Sequence, residues 1–205
     1  MNNKMGYLLI AIGLAIVVWG IVILPKRKTI EKSTKIHEKS KLEKVKLVEF
    51  EENKAKGDAF ERFVVKSFNK KYFTLQEWRS DKFVDGTYAV SNHFPDLEVI
   101  FDLKSKGVRE VFAVECKWRS SYYNEAIEWA KEYQLKNYKE YADKLKIPVF
   151  VVIGVGGEAE NPHELFIIPL QKMKGNIITR GELAQFKKDD TNPQFFWDYD
   201  KNELR

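Results

Sequence analysis

Cysteine is almost missing from this chain. Cys116 stands alone among 205 residues, which excludes an internal disulfide framework and any zinc site built from clustered cysteines, and suits a reducing compartment. Charge is missing from Met5 to Leu24, twenty residues dominated by Leu, Ile, Val and Ala. At about 1.5 Å per residue, a helix of that length spans the roughly 30 Å hydrocarbon core of a bilayer. Tyr7 and Trp19 supply interfacial aromatics, Trp19 lying a turn inside the C-terminal end. A small-x-small cleavage site is missing too: the run closes on Ile21-Val22-Ile23-Leu24-Pro25. A cleaved secretory signal typically has an apolar stretch of about 7–15 residues, so this segment reads as a transmembrane anchor. Proline and glycine are absent from Thr29 to Lys56, and no internal repeat or low-complexity tract appears.

What is present is unevenly placed. Hydrophobic residues make up 44% and charged residues 32% of the chain, as expected of a folded domain rather than a disordered one. The formal net charge is +5. Residues 26–56 hold eleven Lys/Arg against six Glu, whereas residues 57–205 hold 23 basic and 24 acidic residues. The globular part is therefore close to neutral. A basic stretch beside a membrane segment is more often a topology signal or a contact for anionic lipid than a nucleic-acid site. Lys26-Arg27-Lys28 outweigh Lys4, so the positive-inside rule keeps the C-terminal domain cytoplasmic, as in a single-pass protein of a bacterial inner membrane.

Four regions follow: a transmembrane anchor at 1–25, a basic juxtamembrane helical spacer at 26–56, a domain at 57–172, and a C-terminal appendage at 173–205. The aromatics Phe195-Phe196-Trp197 and Tyr199 would pack the appendage on the core. Within the domain, Asp58–Phe68 carries a helical stripe of Phe60, Phe63, Val64, Val65 and Phe68. Strand patterns cover Phe73–Arg79, Asp96–Leu103, Glu110–Trp118, Val149–Ile153 and Leu165–Leu170. Asn124–Lys146 reads as one amphipathic helix ending before Pro148. That order predicts an α/β fold with helices around a mixed sheet.

Period-two alternation places Val111, Ala113, Glu115 and Lys117 on one face of their strand, with Phe112, Val114, Cys116 and Trp118 on the other. An acid and a lysine thus project together from an apolar strand end. Asp96 opens the preceding strand after Pro95. If the two strands form a hairpin, Asp96 and Glu115 converge and repel unless a divalent cation neutralises them. All-oxygen ligands favour Mg²⁺ or Mn²⁺. Glu98 and Asp102 share the Asp96 face and read as solvent-facing decoys. Glu61 lies within the apolar stripe of its helix, where a carboxylate without a partner is costly. Gln134 and Tyr138, four apart, share one helix face.

This order of motifs resembles the PD-(D/E)xK nuclease superfamily: G-x-x-x-E on a helix (Gly57 to Glu61), P-D at a strand start (Pro95-Asp96), E-x-K on the next strand (Glu115 to Lys117), and Q-h-x-x-Y on a helix (Gln134 to Tyr138). The last motif is similar to the RecB/Cas4-like branch, the E-x-K spelling to Mrr-like restriction endonucleases. One cysteine excludes the iron–sulfur cluster that Cas4-like proteins often carry. The resemblance covers about residues 55–170. It implies a restriction-endonuclease-like α/β/α core and a membrane-anchored nuclease acting on DNA. Glu61, Asp96 and Glu115 would hold Mg²⁺ or Mn²⁺, Lys117 would stabilise charge and orient water, and Gln134 and Tyr138 would position substrate. Close packing at Gly57 and a homodimer are further expectations. Two other readings stay open: a catalytically inactive module binding nucleic acid or a protein partner at the membrane, and an RNA-directed nuclease. A basic face made of Lys104, Lys106, Arg109, Arg119, Lys131, Lys136 and Lys139 would favour nucleic acid.

Overall fold

The computed structural model describes residues 41–79, 83–84, 87–88, 93–188 and 194–205. The anticipated membrane span at 5–24 and its flanking lysines and arginine lie outside them. Among the described residues no helix is long and apolar enough to cross a membrane. The chain divides into two compact units, Met1–Glu52 and Asn53–Arg205. In the first, residues 41–52 are helical, and Leu42, Val45, Leu47, Val48 and Phe50 are exposed.

The second unit opens with helix α1, residues 53–67. Phe60, Val64 and Phe68 recur at helical spacing and are buried against a sheet. That sheet takes β1 (Phe73–Trp78), β4 (Leu97–Leu103), β5 (Val108–Arg119), β7 (Val149–Val155) and β8 (Glu164–Pro169) in the order β1-β4-β5-β7-β8. A short hairpin of β2 (Phe83–Val84) and β3 (Thr87–Tyr88) stands between β1 and β4 in the chain. All neighbours are antiparallel except β5 and β7, which run parallel. The fold is α/β with a mixed sheet.

A parallel pair needs a crossover, and here it carries β6 (Ala126–Glu128) and α2 (Glu132–Leu145). The anticipated helix therefore starts eight residues too early, at Asn124 rather than Glu132. Asn124 and Glu125 have positive φ, and β6 pairs with β9 (Ile177–Thr179), a partner fifty residues downstream. Local apolar periodicity cannot reveal such a partner. Tyr138 and Tyr141 of α2 are buried on the sheet face opposite α1, with Ala113, Val151 and Ile168.

After β9 come α3 (Arg180–Leu183), β10 (Trp197–Asp198) and β11 (Glu203–Leu204). Phe195, Trp197 and Leu204 belong to the core on the α1 side. The Trp197 ring stacks on Phe112 at 4.7 Å and meets Phe150 edge-on at 5.7 Å. The glycine that permits close packing is not Gly57, whose added Cβ would meet nothing within 4 Å. It is Gly154 in β7, where a Cβ would come 2.5 Å from the Phe60 ring.

Candidate active site

The β4–β5 hairpin builds one end of the site. Leu97 lies opposite Val114, so continuing the register sets Asp96 opposite Glu115. The Cys116 backbone N–H donates to Asp96 Oδ2 at 2.7 Å, fixing the aspartate against β5. As a residue Asp96 is partly exposed, but its carboxyl turns inward. Burial, and after it the Glu115 charge, hold that carboxyl well above the usual range, while Lys117 pulls it down.

Glu115 is 1% exposed. Its two oxygens have different fates. Oε1 accepts from the Tyr138 hydroxyl at 2.6 Å and pairs with Lys117 Nζ at 2.5 Å, whereas Oε2 is buried without a hydrogen-bond partner. Buried polar atoms are normally satisfied, so this carboxylate oxygen is open to a water or an ion. Burial works against the Lys117 charge, but Glu115 and Asp96 outweigh it and raise the ammonium above its ordinary range. Lys117 is thus a fixed cation.

Glu61 arrives from α1. Its Oε2 accepts from Trp78 Nε1 at 2.7 Å. Burial pushes its carboxyl up to about 7; the Trp78 bond lowers it, Asp58 and Glu115 raise it, and Lys117 lowers it. Glu61 therefore lies within electrostatic reach of Glu115 while bonded to a tryptophan. Gln134 serves its own helix: its Oε1 accepts from the Lys131 N–H at 2.9 Å, closing the first turn of α2. Its partner Tyr138 reaches Glu115 directly.

Among the described residues, no three His, Cys, Asp or Glu side chains gather into a ready-made metal cage. Mg²⁺ seldom needs one, since it keeps several waters and uses one or two carboxylates with substrate phosphates. The donors fit such an ion. Asp96 and Glu115 are hard oxygen ligands side by side, each raising the cost of the other's charge, and Glu115 offers an unpartnered oxygen. Glu61 keeps Oε2 on Trp78, so Oε1 is the oxygen it would bring to them.

Two sequence expectations need correction. Glu98 does not face solvent: it is 8% exposed and accepts from Tyr141 at 2.6 Å, Gln76 at 2.7 Å and Arg79 at 3.1 Å. Arg79 in turn donates to the Pro95 carbonyl from its side chain at 3.1 Å and to the Asp96 carbonyl from its backbone N–H at 2.7 Å. A bulge in β1 between Leu75 and Glu77 allows the Gln76 contact. This network holds the turn that carries Asp96. Its signal in the sequence was Tyr141, three residues beyond Tyr138 on the same helix face.

The basic face is the second correction. Lys104, Lys106 and Arg109 lie at the β4–β5 turn, the far end of the hairpin from Asp96 and Glu115. Arg119 donates to the carbonyls of Glu128 and Trp129, Lys131 pairs with Glu128 at 2.7 Å, and Lys136 with Glu140 at 3.7 Å.

No family model matches this chain, and no curated protein does. Among solved structures, the chain is similar to Hjc, a Holliday junction resolvase from Archaeoglobus fulgidus, at 16% identity and a TM-score of 0.42, over 69% of this chain and 98% of that one. Similarity at that level does not establish a family.

Proposed function

We propose that this protein is a Mg²⁺- or Mn²⁺-dependent nuclease of the PD-(D/E)xK type that hydrolyses phosphodiester bonds in DNA. The observation that carries this reading is the Glu115 carboxylate: one oxygen is pinned by Tyr138 and Lys117, and the other is buried and unpartnered beside Asp96. Asp96 and Glu115 would hold the ion, with Glu61 as the third acid. Such an ion neutralises the paired carboxylates and the phosphate and makes water a better nucleophile at neutral pH. Lys117 places a permanent positive charge where the phosphate gains negative charge in the transition state. Tyr138 keeps Glu115 in one rotamer, and the Cys116 N–H does the same for Asp96. Residues 5–24 would anchor the protein in the membrane, with the nuclease domain on the cytoplasmic face.

One observation favours the rival reading of an inactive nuclease-like binding module: Glu61 is bonded to Trp78, and among the described residues no three-acid cluster is formed. Mutation separates the two. The full-length chain in detergent is given labelled single- and double-stranded DNA and RNA, with and without Mg²⁺ or Mn²⁺. The wild type is expected to cleave DNA only with metal. Lys117→Ala and Asp96→Ala are each expected to lose about 10²–10³ in rate. Lys117→Ala should still bind Mn²⁺ in calorimetry, and Asp96→Ala should not. Metal-independent DNA binding with no cleavage would establish the binding module, and cleavage of RNA alone would redirect the substrate.

A further inference from the structure

Beyond Lys117, the site opens into a cavity of about 720 Å³ that no proposed catalytic role uses. Its walls come from the end of β5, from β6, from the start of α2 and from Ile177 of β9. Lys117, shared with the candidate active site, and Gln134 both line it. Trp129 forms a fully buried wall, its ring nitrogen donating to the Gly175 carbonyl at 2.9 Å. The Arg119 guanidinium, bonded to the Glu128 and Trp129 carbonyls, staples that wall to β5.

Two large apolar side chains stand open at this cavity. Tyr123 is 82% and Ile177 58% exposed. Tyr123 is not on a loose loop. Its N–H and C=O exchange bonds with Ala126 at 3.0 Å around the positive-φ pair Asn124–Glu125, and the Glu125 carbonyl is held by the Arg180 N–H at 2.8 Å. A rigid backbone therefore presents an exposed aromatic ring. Single exposed apolar residues are ordinary, but a tyrosine on a pinned backbone and an isoleucine lining one cavity together offer apolar surface to a flat ring.

The cavity size lies within the range of small-molecule sites, roughly 300–1,000 Å³. A phosphate held beside Lys117 is covalently followed by a sugar and a base, and the space that continues from Lys117 is this cavity. We infer that it is a nucleobase subsite: it takes the unpaired base flanking the scissile phosphate, with Tyr123 as stacking platform. The inference rests on the nuclease reading above and adds the substrate class. A base inside a duplex is paired and stacked, and withdrawing it costs a few kcal/mol. Single-stranded DNA offers it at once. The occupied cavity also bears on the site, because Trp129 packs on the Tyr138 ring (centroids 6.2 Å apart) whose hydroxyl fixes Glu115.

The test uses the full-length protein in detergent with Mn²⁺. It compares kcat and KM on a single-stranded oligodeoxynucleotide and on the blunt duplex of the same sequence. Base–aromatic stacking removed by alanine is typically a roughly 10-fold effect. Tyr123→Ala is expected to raise KM on the single strand by about that factor and to erase the preference over duplex, Tyr123→Phe to restore both, and Ile177→Ser to act in the same direction. Tyr199→Ala, an exposed aromatic away from the cavity, should behave as wild type. Anisotropy with a fluorescein-labelled oligodeoxythymidylate in EDTA gives a second readout, weaker for Tyr123→Ala. If the wild type cleaves but Tyr123→Ala keeps its single-strand KM, or loses equally on duplex, the subsite inference is overturned while the nuclease reading stands. If the wild type neither cleaves nor binds DNA, both fall together.

Discussion

Two glutamates on neighbouring strands of one sheet face have opposite fates. Glu115 keeps one oxygen unpartnered, whereas Glu98 has both oxygens bonded, to Gln76 on one side and to Arg79 and Tyr141 on the other. Removing Glu98 would leave the Arg79 guanidinium, stacked near the Phe94 and Tyr141 rings, with the exposed Glu77 carboxylate in place of its buried partner. Glu98→Ala is accordingly expected to cost about 3 kcal/mol, read as a lower urea midpoint at unchanged slope. A surface decoy would leave the midpoint where it was. The same contact sets a pH dependence. Burial, and then the bond to Glu98, push the Tyr141 phenol up to about 12 from an ordinary 10.0. The folded state holds that proton more tightly than the unfolded chain, so this contribution to stability is complete below pH 10 and is lost as pH rises toward 12. Tyr122, bonded to Glu164, is pushed up to about 12 as well, so absorbance titration at alkaline pH should show two late-ionising tyrosines, of which Tyr141→Phe removes one.

Helix α2 and strand β7 show how elements, rather than single residues, set the site. The two tyrosines of α2, three apart, each donate to a different strand, Tyr138 to β5 and Tyr141 to β4. One helix face thus fixes the two strands that carry Asp96 and Glu115. On the opposite sheet face, α1 approaches until the Phe60 ring lies over Gly154 of β7. Phe60 is 1% exposed and has no room to swing aside. Gly154→Ala is therefore expected to destabilise the fold by roughly 1–3 kcal/mol through overpacking. Because α1 also carries Glu61, the variant should loosen the Glu61–Trp78 contact, visible as a shift in tryptophan emission. A Tm equal to wild type would show that the packing tolerates a methyl group.

At the scale of the molecule, the residues latest in the chain complete a core laid down by the earliest elements. Phe195, Trp197 and Leu204 fill the space between α1 and the sheet, in contact with Phe68, Phe112 and Phe150. Trp197→Ala is expected to cost about 3–5 kcal/mol, enough to unfold a marginally stable domain. Thermal unfolding by circular dichroism measures it. A loss under 1 kcal/mol, an order-of-magnitude bound for an exposed position, would mean that residues 194–205 merely lie on the surface.

The sequence by itself determined the five strands of the central sheet and their faces, because side-chain alternation is a local property of an extended backbone. Period two put Glu115 and Lys117 together, and Leu97, Val99 and Phe101 on the other face from Glu98. It also determined the type of each chemical group, since three acids and a lysine need only be read. What tertiary structure alone decided was burial and pairing across distance. Glu98 looks like any alternating polar residue until α2 covers it. Ala126–Glu128 looks helical until β9 arrives to pair with it. Arg119 and Lys131 look like cations for a ligand until carbonyls and a glutamate take them. In each case the deciding partner lies elsewhere in the chain, and the free energy that fixes the outcome, desolvation of a charge or completion of a hydrogen bond, exists only once the chain has closed on itself.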